Sequence, residues 1–276
     1  MKTGKVIIAG AGTGDPELLT LKAARYLGLA DVVLTDRLVS EEILLSHIGR
    51  NTELIYVGKQ CRKGLSTSQE VINELLVKHA GMGKLVVRLK GGDVSVFSNI
   101  MDELIALNKH AIPYEIIPGI TAACGAAAYA GIPLTARGYS TAVRFLTYHT
   151  HEQFSDEYLQ NLAHTEDTLV FYMSSEILDT LIAGLKKNGI DPDMNIAVVE
   201  QATTPFQRVH TSTVGNYNGS LKGETFSSPS LVIIGKVVAL HKQFSWVKNC
   251  KSRLDYFKPI TPFSHSDTTP QYAYSH

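Results

Sequence analysis

The stretch Val6–Thr20, VIIAGAGTGDPELLT, decides the architecture. Its first four residues are an apolar run of strand length, and glycines follow at Gly10, Gly12 and Gly14. Asp15 then stands at an expected helix N-cap, Pro16 suits a first turn, and Leu18, Leu19, Ala23 and Leu27 make one apolar stripe. Open parallel sheets bind ligands beyond the carboxyl ends of their strands, and glycines there let backbone approach closely. The dinucleotide pattern G-x-G-x-x-G fails, because its last position is Asp15. A carboxylate there would oppose a pyrophosphate at the helix N-terminus.

Working outward, apolar runs recur at Val6–Ala9, Val32–Thr35, Leu54–Val57, Leu85–Leu89 and Tyr114–Ile117. Continuous apolar strands alternating with helical stretches predict a parallel α/β sheet. The pattern breaks at Ile132–Tyr139, where Pro133, Arg137 and Gly138 interrupt it. Strand-like runs resume at Val143–Thr147, Thr168–Met173, Ile196–Glu200, Val209–Thr213 and Ser230–Val238, with helical material at Ile177–Asn188. The expectation is two α/β domains joined near residues 134–141: residues 1–136 with a parallel sheet, 137–242 with a mixed sheet, and an active site in the cleft between them. Residues 243–276 form a C-terminal extension, whose Pro/Ser/Thr/Tyr-rich end, Thr261–His276, is expected to be loosely held.

A chain of 276 residues with 44% hydrophobic and 19% charged side chains can bury a sizeable core. Lys plus Arg (26) balance Asp plus Glu (26), which disfavours a nucleic-acid binder, since phosphate contacts supply most of that affinity. Tyr and Phe do not alternate with basic residues, so no single-strand stacking platform stands out. Cys61, Cys124 and Cys250 are odd in number and far apart, which predicts free thiols in a reducing compartment. His149-x-His151-Glu152 lacks further clustered ligands and reads as a solvated loop, so no metal is expected. No apolar run approaches a signal-peptide core or a membrane span, and a cytoplasmic protein without membrane partners is expected.

Two further segments carry chemistry. In Leu85–Phe97, LVVRLKGGDVSVF, Gly91 and Gly92 bare the backbone at a strand end and Asp93 adds a carboxylate. That pairing suits a ligand with amino and hydroxyl donors, and equally an Asx-turn. In Glu115–Thr135, EIIPGITAACGAAAYAGIPLT, Thr121 is placed to cap a helix built of Ala and Gly. Such a helix can approach a flat ligand or another backbone closely.

Together with Leu34–Ser40 (LTDRLVS), Tyr56–Lys59 (YVGK), Val170–Met173 (VFYM) and Val198–Arg208 (VVEQATTPFQR), these segments resemble uroporphyrinogen-III C-methyltransferases of the tetrapyrrole methylase superfamily, in order and spacing over roughly residues 4–240. The resemblance implies S-adenosyl-L-methionine as cofactor, S-adenosyl-L-homocysteine as its product, and a homodimer. Cofactor contacts would fall on Thr13, Gly91, Gly92, Asp93, Val96, Thr121, Ala122, Met173 and Ala202. Asp36 takes the family's base position and Lys59 its acid position. Departures are Val94 where the family has proline, Ser98–Glu103 (SNIMDE) in place of a Gly/Arg-rich segment, and Ala136-Arg137-Gly138 in place of His-Arg-Asp. The metal-chelating and dehydrogenase domain fused to some relatives is expected to be absent, because the first strand begins at Lys5.

A sulfonium methyl donor is already activated, so alignment and removal of a proton are the main catalytic tasks. The substrate so implied bears eight carboxylates, and Arg37, Arg62, Arg137 and Arg144, with Lys59 and Lys63, are candidates to meet them. Two rival readings are a later precorrin substrate and a nicotinamide-dependent oxidoreductase with Asp36 on the ribose; the failed glycine pattern counts against the latter.

Overall fold

A computed structural model describes residues 4–57, 59–60, 65–148 and 154–257. The chain runs β1 (Lys5–Gly10), α1 (Leu21–Leu29), β2 (Val32–Thr35), α2 (Glu41–His47), β3 (Glu53–Tyr56), then a short hairpin of β4 (Lys59–Gln60) and β5 (Leu65–Ser66). It continues with α3 (Gln69–Gly81), β6 (Leu85–Lys90), α4 (Ile100–Lys109), β7 (Tyr114–Ile117) and α5 (Ala122–Ala130). The first sheet has the order β3-β2-β6-β1-β7, and every pairing in it is parallel. Alternation along its strands feeds two cores. Ile7, Val33 and Val87 pack against Ala23 and Leu27 of α1 and Ile43 of α2; Val6, Leu34 and Val86 pack against Leu76 of α3 and Leu107 of α4. Helices on both faces are why these strands read as unbroken apolar runs.

The second half carries β8 (Val143–Thr147), α6 (Asp156–Ala163), β9 (Thr168–Tyr172), α7 (Leu178–Lys187), β10 (Asn195–Glu200), β11 (Arg208–Thr213), α8 (Tyr217–Ser220), β12 (Ser230–Ile234) and α9 (His241–Phe244). Its sheet, β11-β10-β12-β9-β8, is mixed, with β8 and β9 parallel and the other pairs antiparallel. One face holds Phe171, Val198 and Val232 against α6 and α7. The other holds Val170, Ala197, Val199 and Ile233 against Ala123, Ala126 and Ala130 of α5. The small residues of α5 therefore serve close packing, and this helix joins the halves.

Three local expectations change. Asp15 caps only a single turn of 3-10 helix, Pro16–Leu18, after which Leu19 is extended. The side chain that caps α1 is Thr20, accepting from the Ala23 amide, and Leu21 on that helix is 91% exposed. The run from Ser230 stops being a strand at Ile234, and Lys236–Leu240 is 3-10 helix.

Candidate active site

Three strand ends of the first sheet meet backbone to backbone. Gly12 and Gly92 exchange hydrogen bonds in both directions, at 3.1 and 2.6 Å. A Cβ on Gly10 would lie 2.6 Å from the Gly92 oxygen and 2.7 Å from the Gly119 nitrogen. Asp93, 7% exposed, ties this junction together: Oδ2 accepts from the Gly119 amide (2.9 Å) and Oδ1 from the Ser95 amide (2.8 Å) and hydroxyl. Burial opposes ionisation of Asp93, but donors from Ser95, Gly119 and Val94 outweigh it and hold the carboxyl below its ordinary range. The turn reading of Asp93 thus describes the structure better than a carboxylate held out to a ligand.

Beside this junction lies a gap. Gly92, at φ +71°, would aim a Cβ into space whose nearest atom is the Ala122 nitrogen, 4.0 Å away. Gly91, Gly92, Thr121 and Ala122 are all half-buried along it. Thr121 occupies the N-cap of α5 yet makes no capping bond; its hydroxyl pairs with the Tyr172 hydroxyl (2.7 Å), which also accepts the Ala123 amide (3.0 Å). Tyr172 thereby anchors the helix start and packs against Phe97, with ring centroids 4.9 Å apart and the planes tilted by 57°.

The second half supplies the opposing loops. Met173 (φ +54°), Gln201 (φ +45°) and Thr203 (φ +65°) adopt left-handed backbone without being glycine, as does Phe97 (φ +50°). Met173 is 56% exposed, and Ala202 sits between the other two strained residues. Strain of this kind concentrates at functional sites. Thr203 ties the two halves together: its Oγ1 lies 2.9 Å from Thr13 Oγ1 and accepts the Asp15 amide at 3.2 Å. Thr13 in turn fills the space over Gly125, where a Cβ would come within 2.5 Å of its hydroxyl. Of the cofactor positions expected from the resemblance, Gly91, Gly92, Thr121 and Ala122 are half-buried near the open space at Gly92, Thr13 meets Thr203 of the second half, Met173 and Ala202 lie on its left-handed loops, and Val96 packs on the core around α5.

Asp36 follows β2 and is half-buried; Oδ1 accepts the Leu38 amide (3.0 Å) and Oδ2 the Gly91 amide (3.4 Å). Its neighbour Arg37 crosses to the second half, donating to the Ser228 hydroxyl at 3.3 Å. Beneath this loop lies a buried ion cluster that composition alone did not signal. Arg88 Nε and Lys90 Nζ both donate to Oε1 of the fully buried Glu103, each at 3.1 Å. Desolvation and Arg88 lower the pKa of Lys90, against the opposing pull of Glu103 and Asp36. The alternation R-L-K before GGD was its visible sign, because both cations must face one side of a central strand.

The remaining candidates separate. Lys59 stands in β4 opposite Ser66, with its side chain outside what is described; Arg62, Lys63, His149, His151 and Glu152 lie outside the described residues. Arg137 is exposed on the connection between the halves. Arg144 does not join the site: it points to the α6 side of the second sheet, bonding Asp167 (2.5 Å), Asn161 (2.7 Å) and Thr165 (3.1 Å). Residues overlooked in the sequence are Gln201, Thr203 and Tyr172, whose roles depend on long-range partners.

The family model for tetrapyrrole (corrin/porphyrin) methylases matches residues 5–217. A siroheme synthase of Saccharophagus degradans is 44% identical over 247 residues, covering 90% of this chain and 54% of that protein, so the chain spans about half its relative's length. A crystal structure of uroporphyrin-III-C-methyltransferase from Thermus thermophilus superposes with a TM-score of 0.73 at 36% identity, covering 89% of this chain and 98% of that one. The same enzyme complexed with S-adenosyl homocysteine gives 0.69 at 36% identity, with coverages of 85% and 93%. The chain belongs to the tetrapyrrole (corrin/porphyrin) methylases, a family of methyltransferases.

Proposed function

We propose that this chain is an S-adenosyl-L-methionine-dependent uroporphyrinogen-III C-methyltransferase, methylating C2 and C7 to give precorrin-2. The observation that carries the reading is the open space beside Gly92, where the nearest atom to an added Cβ would be the Ala122 nitrogen, at a junction that Thr13 and Asp15 tie to Thr203 of the second half. When bound, the cofactor supplies an electrophilic methyl group on a sulfonium. Gly91, Gly92, Thr121 and Ala122 offer backbone and small side chains to its polar parts, and Asp93 keeps their loops in place. Each methylation breaks the sulfonium–methyl bond, forms one carbon–carbon bond at a pyrrole carbon and releases S-adenosyl-L-homocysteine as a neutral thioether, leaving a cationic macrocycle that must lose a proton. Asp36, beside Gly91, accepts that proton; Lys59 stands at the acid position that the resemblance assigns, and Arg37, Arg62 and Arg137 meet substrate carboxylates. We further propose a cytoplasmic homodimer with no bound metal. Among the described residues no helix is long and apolar enough to cross a membrane.

Anaerobic incubation with uroporphyrinogen III and S-adenosyl-L-methionine, followed by mass analysis of the oxidised product, tests the reading. Two added methyl groups are expected. A product methylated only when a precorrin is supplied would overturn the substrate assignment. Asp36→Asn should lower turnover by about 10²–10⁴-fold with S-adenosyl-L-homocysteine affinity retained, the signature of a group needed in the transition state. Near-normal turnover with lowered stability would remove Asp36 from the base role.

A further inference from the structure

Among the described residues past α9, Ser245–Phe257, there is no further helix or strand, yet they are fastened across the outside of the site; Thr261–His276 lies outside the described residues. Trp246 Nε1 donates to the Ala128 oxygen (2.9 Å) and its ring lies on Tyr129, with centroids 5.0 Å apart. The Asn249 side chain bonds both the amide and the carbonyl of Val209, at 2.7 and 2.9 Å. Farther along, Gln201 grips the strap twice: Nε2 donates to the Leu254 oxygen (3.0 Å) and Oε1 accepts the Tyr256 amide (2.7 Å). Tyr256 then reaches into the first half, where its hydroxyl lies 2.8 Å from Ser40 Oγ.

That last contact is unusual for the residues involved. Ser40 is the N-cap of α2, where a serine hydroxyl ordinarily accepts an amide of the first turn. It makes no such bond, and it is 1% exposed. It also ends the loop that begins at Asp36, in which the Leu38 amide meets Asp36 Oδ1 and the Val39 amide meets the Asp36 carbonyl at 3.3 Å. On the strap's other side, Gln201 is the left-handed residue directly before Ala202. One residue, Tyr256, therefore bridges the two loops: its main-chain amide is held by Gln201, next to Ala202, and its hydroxyl meets Ser40, at the end of the Asp36 loop.

We propose that Tyr256 is a positioning residue: the strap Trp246–Phe257 locks the Asp36 loop to the Ala202 loop, setting the base in register with the cofactor gap. The role of Asp36 as base is the part taken from the proposed function. Small misplacements of reacting groups cost large factors in rate, so a link that fixes this register acts on turnover more than on affinity.

Tyr256→Phe keeps the ring against Phe206 and Phe257 and removes only the hydroxyl. It should lower kcat about five- to tenfold, the worth of one buried hydrogen bond, and change S-adenosyl-L-homocysteine affinity less than about twofold. Amide exchange at Leu38 and Val39 should quicken. Ser40→Ala should give the same fall in kcat, and the double variant no further fall, because the two hydroxyls act as one pair. An unchanged kcat with a lower melting temperature, or additive losses in the double variant, overturns the proposal. If Asp36→Asn itself retains turnover, the base assignment fails independently. The strap is then judged on exchange: faster Leu38 and Val39 exchange in Tyr256→Phe supports the lock, and unchanged exchange overturns it.

Discussion

The two sets of loops that face one another across the cleft hold their shapes by opposite means. On the first sheet, Gly10, Gly92 and Gly119 touch backbone to backbone, and absence of side chains is what permits the contact. On the second, Met173, Gln201 and Thr203 keep their side chains and accept left-handed backbone, a conformation costing L-residues about 1–2 kcal/mol each. The first set is relaxed and intolerant of added atoms. The second is strained and depends on clamps: Gln207 Oε1 on the Thr203 amide at 2.8 Å, and the C-terminal strap on Gln201. The glycine junction thus makes a floor with no room for side chains, and the left-handed loops make a lip that holds its side chains under strain.

The largest effect should come from adding one carbon to the floor. In Gly119→Ala the new Cβ would stand 2.4 Å from the Gly92 oxygen and 2.8 Å from the Gly10 carbonyl carbon. Both are backbone atoms held by sheet hydrogen bonds, so neither can rotate away. A loss of about 3 kcal/mol is expected in urea unfolding, together with loss of S-adenosyl-L-homocysteine binding by calorimetry. A variant as stable as the parent would show that the junction is looser than described.

Next in size is the polar tie of that floor. The Asp93 carboxyl is held below its ordinary range in the folded protein, so its stabilisation is complete above about pH 4 and disappears as pH falls through the folded value. Asp93→Asn should cost about 2 kcal/mol at neutral pH, as expected for a charged acceptor of amide bonds. The gap between parent and variant should narrow in acid melts below about pH 4. A constant gap would mean that charge contributes nothing at this position.

These two positions also mark what the sequence could disclose. Close approach leaves a written trace, since only glycine allows it, and the doubly covered strands β1, β2 and β6 declare themselves as unbroken apolar runs. Strain leaves none: nothing in VFYM or VVEQATTP distinguishes a left-handed Met173 or Thr203 from an ordinary one. Caps mislead in a related way. Asp15 and Thr121 have the right chemistry for helix starts, but Thr20 does the work at α1, and the Thr121 hydroxyl is claimed by Tyr172 from the other half of the chain. The strap escaped because single side chains fasten it and no repeating face does, so it has no period to detect.

The lip should answer oppositely to the floor. Met173→Gly removes a side chain from left-handed backbone at an exposed position. Relief of about 1–2 kcal/mol, less about 0.5–1 kcal/mol for the freedom glycine gains when unfolded, predicts unchanged or slightly higher stability. Affinity for S-adenosyl-L-homocysteine should nonetheless fall, because the resemblance sets Met173 against the cofactor. A marked fall in melting temperature would show that the Met173 side chain is structural and that its strain is incidental.

The smallest effect separates the cleft from the outer face of the same sheet. Along β8, Val143 and Phe145 pack against α5, whereas Arg144 alternates to the α6 side. Strand parity was legible in the sequence, but which parity looks into the cleft depends on α5 covering one face, and that is a property of the assembled fold. The Arg144 guanidinium is about one-third exposed and engaged by Asp167, Asn161 and Thr165. Partly exposed pairs of this kind contribute at most about 1 kcal/mol. Arg144→Ala should therefore lower stability by less than that, and leave KM for uroporphyrinogen III and kcat where they were. Arg37→Ala, on the loop next to Asp36, should raise KM in the same assay. If instead Arg144→Ala raises KM several-fold while Arg37→Ala does not, the substrate approaches the second sheet from its outer face, and the cleft between the loops is not where the macrocycle sits.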